Sequence, residues 1–192
     1  MTYHMPHHGT SQRRIAIISD THGNINQNIL DAIKGCDRII HAGDICGAHI
    51  LTQLERICTQ VTAVTGNNDC ASLWSPAEAS IVNALPAIVE IELPGGMVAI
   101  EHGHMHGAQQ PDHASLRASY PQARIIVYGH THTMLVDDSE TPWVINPGAA
   151  GETRTGEGAS CMILTAVAQG EWDIEKIRIK DDDKEEKAVA YA

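Results

Sequence analysis

The sequence predicts an α/β protein built as a four-layer α-β-β-α sandwich, two mixed sheets flanked by helices. Two observations lead there. The first half alternates short β-branched runs with helical patterns, as right-handed crossovers in a largely parallel sheet require. The second half is crowded with short strand candidates around one helical pattern. A second, mixed sheet packed on the first, with helices outside both, gives every apolar face a partner.

Taken in order, Ile15-Ala16-Ile17-Ile18 reads as a buried strand ending at Ser19-Asp20. Ile25, Ile29, Leu30 and Ile33 then recur at helical spacing, with Gly35 as the C-terminal cap. Arg38-Ile39-Ile40-His41 is a second strand running into Gly43-Asp44, and Ile50, Leu51, Leu54, Ile57 and Cys58 mark a second amphipathic helix. A third strand at 61–65 runs into Gly66-Asn67-Asn68-Asp69. Later strand candidates are 88–93, 97–101, 125–128, 134–136, 143–145, 161–165 and 172–179, the first two joined by a Pro94-Gly95-Gly96 turn. A short helix is expected at 113–119 behind Asp112, whose side chain suits an N-cap.

At 192 residues, 43% of them apolar, the chain is sized for one domain with a substantial core, although it contains no Phe. That domain is expected at 14–180, after an N-terminal arm (1–13) and before a charged tail (181–192). The net charge of −11 repels a polyphosphate backbone, so no nucleic-acid partner is expected. A small phosphoester can still be drawn to a bound divalent ion. No apolar run reaches the ~18–20 residues of a spanning helix, which argues against a membrane partner. The first twelve residues lack the apolar core of a signal peptide. Cys36, Cys46, Cys58, Cys70 and Cys161 are scattered, without a C-x-x-C pair, as befits free thiols in a reducing cytoplasm. Whether the chain forms a homo-oligomer is left open.

Chemistry is concentrated where strands end. Asp20-Thr21-His22-Gly23, Gly43-Asp44, Gly66-Asn67-Asn68-Asp69, His102-Gly103-His104 and Gly129-His130-Thr131-His132 each place acid, imidazole or amide beside glycine at a predicted strand tip. Ligands of open α/β sheets bind beyond the carboxyl ends of strands, so these tips should converge. Carboxylate, imidazole and carboxamide donors suit Mn, Fe, Ni, Co or Zn, and no cysteine joins the pattern. With so many ligands one ion would be oversupplied, whereas two ions sharing a carboxylate would use them all. Taken singly, Asp20, Asp44 and Asn67 could be turn caps; the ordered set argues for a metal site.

The ordered series D-x-H, G-D, G-N-x-[DE], H-G-H and G-H-T-H resembles that of the calcineurin-like metallophosphoesterase superfamily, and within it the small YfcE-like bacterial and archaeal phosphodiesterases. The resemblance runs from about Ile15 to the strands after Gly148, and it implies the same two-sheet sandwich. It implies two divalent ions, Mn foremost, with Asp20, His22 and His132 on the first, Asn67, His102 and His130 on the second, and Asp44 bridging. It further implies hydrolysis of small phosphodiesters by a hydroxide that bridges the ions, with Asp69 orienting a neighbouring group. Many relatives carry a histidine after the metal-binding asparagine, where this chain has Asn68. A carboxamide cannot act as a general acid. Asn68 is therefore left to hydrogen-bond a phosphoryl oxygen, and His104 is the candidate substitute donor.

His41, His49, His106 and His113 lack a motif partner and read as surface or supporting residues, and His4, His7 and His8 lie in the arm. Asn146-Pro147-Gly148 reads either as a turn supporting the site or as a plain structural turn, and Arg154 is a candidate phosphate contact. The alternatives within the superfamily are a phosphomonoesterase, a nucleotide pyrophosphatase or a protein phosphatase. Outside enzymology, the superfamily includes a small retromer subunit that serves in protein assembly. This chain keeps every metal-ligand position of the motifs, which separates it from a scaffold that has lost them.

Overall fold

The computed structural model describes residues 12–151, 156 and 158–179. Two five-stranded sheets face each other. The first has the order β10-β9-β1-β2-β3, with β1 (Gln12–Ile18), β2 (Arg38–His41) and β3 (Val61–Ala63) parallel. The second has the order β4-β5-β6-β8-β7, with β5 (Gly96–Glu101), β6 (Ile125–Val127) and β8 (Trp143–Pro147) parallel. Antiparallel strands complete both: β9 (Ser160–Val167) and β10 (Asp173–Arg178) in the first, β4 (Ile88–Leu93) and β7 (Met134–Asp137) in the second.

The period-2 geometry of strands explains why the central ones are apolar throughout. Ile15 and Ile17 of β1 point into the core between the sheets, while Ala16 and Ile18 point outward under helices α1 (Gln27–Ala32), α2 (Ala48–Ile57) and α3 (Ala79–Ala84). In the second sheet, Val98, Ile100, Ile125 and Val127 face the shared core. Ala99, Ile126 and Val144 face outward, where Leu116 of α4 (His113–Ser119) covers them. Three apolar layers between four structural ones result. Each fully buried Ile adds about 1.5–3 kcal/mol relative to exposure.

Local signals act as read at several points. Asp112 caps α4 by accepting from Ala114 N–H. Pro94-Gly95 makes a two-residue turn between Leu93 and Gly96, with Gly95 at φ +94. Four readings change. The last two strands join the first sheet rather than the second, because β9 pairs with β1 over six residues. The third strand ends at Ala63, since its register with β2 spans three residues. A 3-10 turn at Pro76–Glu78 leads into α3 where no helix was expected. β1 begins at Gln12, so Gln12 and Arg13 belong to the sheet rather than the arm, and Arg13 pairs with Asp37 at 3.1 Å. The rest of the arm, with His4, His7 and His8, lies outside the described residues, as do Arg154 and the tail 181–192. Among the described residues, no helix is long and apolar enough to cross a membrane.

Candidate metal centre

The carboxyl ends of β1, β2, β5 and β6 meet at one edge of the sandwich. Backbone bonds extend the β1–β2 ladder into the loops, Asp20 N to Gly43 O at 3.0 Å and His22 N to Asp44 O at 3.0 Å. The second sheet is tied on by His102 Nδ1, 2.8 Å from Ala42 O, and by His130 N–H, 3.0 Å from Asp20 Oδ2. The approach is so close that a Cβ on Gly66 would lie 2.2 Å from Asp44 Oδ1, and one on Gly129 would lie 1.9 Å from Ser19 Oγ. Glycine at these two positions supplies the missing side chain, not an unusual φ. Asp20, His22, Asp44, His130 and His132 are themselves in the left-handed region, φ +45 to +70, a conformation that Asp and His adopt more readily than most residues.

Two groups of potential ligand atoms overlap here, each mutually within 4.8 Å: Asp20, His22 and His132, and Asp20, Asp44 and His102. Asp20 is common to both, where the resemblance gave it to one ion. Asp44 Oδ2 lies between the groups, 3.6 Å from His22 Nε2 and 3.4 Å from His102 Nε2. Lone pairs converge. The His22 and His132 Nε2 atoms are 3.0 Å apart, and His132 Nε2 is 3.3 Å from Asp20 Oδ1. Because His102 donates Nδ1–H to Ala42 O, its Nε2 carries a lone pair that is buried with no hydrogen-bond partner. On the open side, His130 Nε2 lies 2.9 Å from Ala108 O, and its Nδ1 faces Asn67 Oδ1 at 3.0 Å. A cation satisfies such clusters of acceptors, and a backbone carbonyl fixing the far imidazole nitrogen is the usual support of a metal-bound histidine. The donor set therefore fits divalent metal.

Charge within the cluster is strongly coupled. Burial pushes the Asp44 pKa up, but His102 and the Asn68 donors more than reverse this and hold the carboxyl well below its usual range. Burial likewise opposes charge on His102, and the neighbouring Asp44 and Asp20 outweigh it, so its pKa is raised. A proton on His102 offsets the acids just as a metal ion would.

The remaining sequence candidates take up supporting positions. Asn68 donates to Asp44 twice, through N–H to Oδ1 at 2.9 Å and Nδ2 to Oδ2 at 2.6 Å, so its amide is committed to the carboxylate rather than held for a phosphoryl oxygen. Asp69 is buried and orients backbone. It accepts from Ile45, Cys46 and Gly66 N–H and from Trp74 Nε1, bracing the loops that carry Asp44 and Asn67. His104 sits 5.5 Å from His102 between ring centroids, with a buried, unpartnered Nδ1. Burial and the charges of His102 and His130 lower its pKa, which favours the neutral ring.

His41, read from the sequence as a surface or supporting residue, is a supporting one. It is completely buried and bonds Thr21 Oγ1 at 2.9 Å and Gly43 N–H at 3.3 Å, linking the two loops that carry Asp20 and Asp44. A polar residue closing an apolar strand was its only signal. Asn146 holds the Gly129–Thr131 turn through Gly129 O and Thr131 Oγ1. His106 contacts Glu101 and Ser115, His113 contacts Asp137 and Tyr128, and exposed His49 bonds Gly23 O.

Comparison with known proteins agrees with this geometry. Residues 14–169 match the model of the calcineurin-like phosphoesterase superfamily domain. The chain belongs to that family. A phosphodiesterase of Methanocaldococcus jannaschii is 26% identical over 151 residues, covering 74% of this chain and 87% of its own length. Among solved structures, Yfce, a phosphoesterase of E. coli, is 20% identical with a TM-score of 0.59, covering 87% of this chain and 100% of its own. Vacuolar protein sorting 29 of Cryptosporidium parvum is 17% identical with a TM-score of 0.69, covering 88% and 99%. At such identities the two structures speak for the shared fold alone. The calcineurin-like phosphoesterases thus provide the frame for the site described above.

Proposed function

We propose that this chain is a binuclear, metal-dependent phosphodiesterase acting on small phosphodiesters, with Asp20, His22 and His132 at one ion, Asn67, His102 and His130 at the other, and Asp44 between them. The observation that carries the reading is Asp44 Oδ2 in reach of both His22 and His102, beside two ligand groups that share Asp20. A relative described as a phosphodiesterase supports the substrate class. Two divalent ions held by these residues, Mn foremost, would supply positive charge for the phosphoryl oxygens and would lower the pKa of bound water towards neutrality.

The chain's own residues prepare the site for this. Asn68 fixes the Asp44 carboxylate, Ala42 O sets the His102 tautomer, and the Asp69 bracket keeps both loops in register. His104, beside His102 and His130, is the candidate proton donor to a leaving alcohol; it takes up its proton against burial and the charges of those two histidines. None of the five cysteines is in a disulfide, which fits a cytoplasmic setting.

Chelated protein supplied with Mn²⁺ should regain hydrolysis of bis(p-nitrophenyl) phosphate and cleave p-nitrophenyl phosphate more slowly. Preference for the monoester would make the protein a phosphomonoesterase. Bound metal without turnover of either would count against an enzyme and for a scaffold.

A further inference from the structure

Next to His130 lies a cavity of about 260 Å³ lined by Gln109, Gln110, Tyr128, Thr131, Thr133 and Leu135. Its walls are tied to the candidate ligands. Thr131 stands between His130 and His132 in the chain, about 3.8 Å from each between Cα atoms. Gln109 and Gln110 follow Ala108, whose carbonyl oxygen is 2.9 Å from His130 Nε2.

The lining carries no formal charge: two carboxamides, two hydroxyls and a phenol beside one leucine. The hydroxyl side is anchored, with Asn146 donating to Thr131 Oγ1 at 3.1 Å and His113 Nε2 lying 3.2 Å from the Tyr128 phenol. Among the described residues, no protein group bonds the side-chain amides of Gln109 and Gln110.

We propose that this cavity receives the retained alcohol arm of the phosphodiester, a neutral polyhydroxylated group of sugar size. The inference rests on the diesterase reading above. Gln109, Gln110 and Thr133 are exposed, so the cavity is open to solvent. A charged arm would meet no counter-charge there. An apolar arm would make no bond to the amides and hydroxyls, whereas a sugar offers donors and acceptors to both. The volume falls below the ~300–1,000 Å³ of pockets for whole drug-sized ligands, which suits a single ring. The arm held here is the retained one, because a departing aliphatic alkoxide needs a proton. Carboxamides and aliphatic hydroxyls are poor acids, and burial makes the Tyr128 phenol a weaker one than usual.

Glucose 6-(p-nitrophenyl phosphate) and methyl p-nitrophenyl phosphate release the same leaving group and differ in the retained arm. The Mn²⁺-loaded protein should favour the glucose diester in kcat/KM by about thirtyfold, as gaining two or three neutral hydrogen bonds predicts. The double variant Gln109→Leu/Gln110→Leu should cut that ratio about tenfold, and Thr133→Val, which keeps shape, by about threefold. Calorimetric titration gives a readout without turnover. Glucose 6-phosphate should bind more tightly than methyl phosphate, and the variants should reduce the difference. Turnover of both diesters with an unchanged ratio in both variants would overturn the inference and leave the diesterase reading standing. Equal affinities in the unsubstituted protein would do the same. Turnover of neither diester would overturn both.

Discussion

Replacing Asp69 by Asn tests the claim that this residue braces the site rather than reacting in it. In the folded protein Oδ1 accepts from Cys46 N–H at 2.9 Å, Ile45 N–H at 3.0 Å and Trp74 Nε1 at 3.1 Å, while Oδ2 accepts from Gly66 N–H at 2.8 Å. Asparagine has the same shape but one acceptor. Its oxygen does best in the Oδ1 position, keeping three donors, and its NH₂ then faces the buried Gly66 N–H. The orphaned donor costs about 1–3 kcal/mol, and each surviving bond loses on the order of 1 kcal/mol as its acceptor becomes neutral. About 4–6 kcal/mol of destabilisation is expected, a large share of the ~5–15 kcal/mol typical of a domain. Urea unfolding of chelated protein, followed by tryptophan fluorescence, should show a lower midpoint with an unchanged slope. Mn²⁺ should bind more weakly as the Asp44 loop loosens. A loss under about 1 kcal/mol, with native metal affinity, would refute the bracket, because buried charge-assisted bonds of this kind cannot be removed so cheaply.

Three further outcomes are expected. Asp44→Asn should abolish turnover and reduce metal content at both positions, measured by elemental analysis; near-normal activity would sink the bridging role. Burial holds the His41 pKa down to about 4, against the raising effect of the Asp69 and Asp20 charges, while the unfolded value is about 6.5. As pH falls from 6.5 towards 4, the unfolded chain takes up a proton that the folded one refuses. Chelated protein should therefore lose about 3 kcal/mol of stability relative to His41→Gln across that window, and a pH-independent difference in urea midpoints would count against it. His104→Ala should slow esters with poor leaving groups by about 10²-fold or more and spare p-nitrophenyl esters; equal losses on both would dismiss the proton-donor role.

How far the sequence disclosed this molecule depended on the range of the interactions. Strands such as Ile15–Ile18 are legible because burial on both faces leaves no polar position, and Asp112 is legible because its cap bond reaches only to Ala114. The sheet that β9 joins is not legible, since Ile15 meets Leu164 through a register that no local pattern records. The short α3 escaped notice because Ala79–Ala84 has a single buried residue, Val82. Within the site, the candidate ligands stood out as polar residues beside glycine at strand ends. The role of Asn68 did not, because its partner Asp44 is more than twenty residues away; Asp69 was legible as an orienting acceptor, but its distant partners Ile45 and Cys46 were not.

The left-handed backbone of Asp20, His22, Asp44, His130 and His132 bears on how experiments on this site should be designed. Alanine has no polar side chain to ease such a φ, and the conformation disfavours it by roughly 1–2 kcal/mol. An alanine scan would thus charge backbone strain at five positions to the account of lost coordination. Asparagine tolerates the same φ and removes the charge or the imidazole. Asn replacements at these positions, judged against the cost of Ala, would separate what each side chain does for the ions from what its backbone asks of the fold.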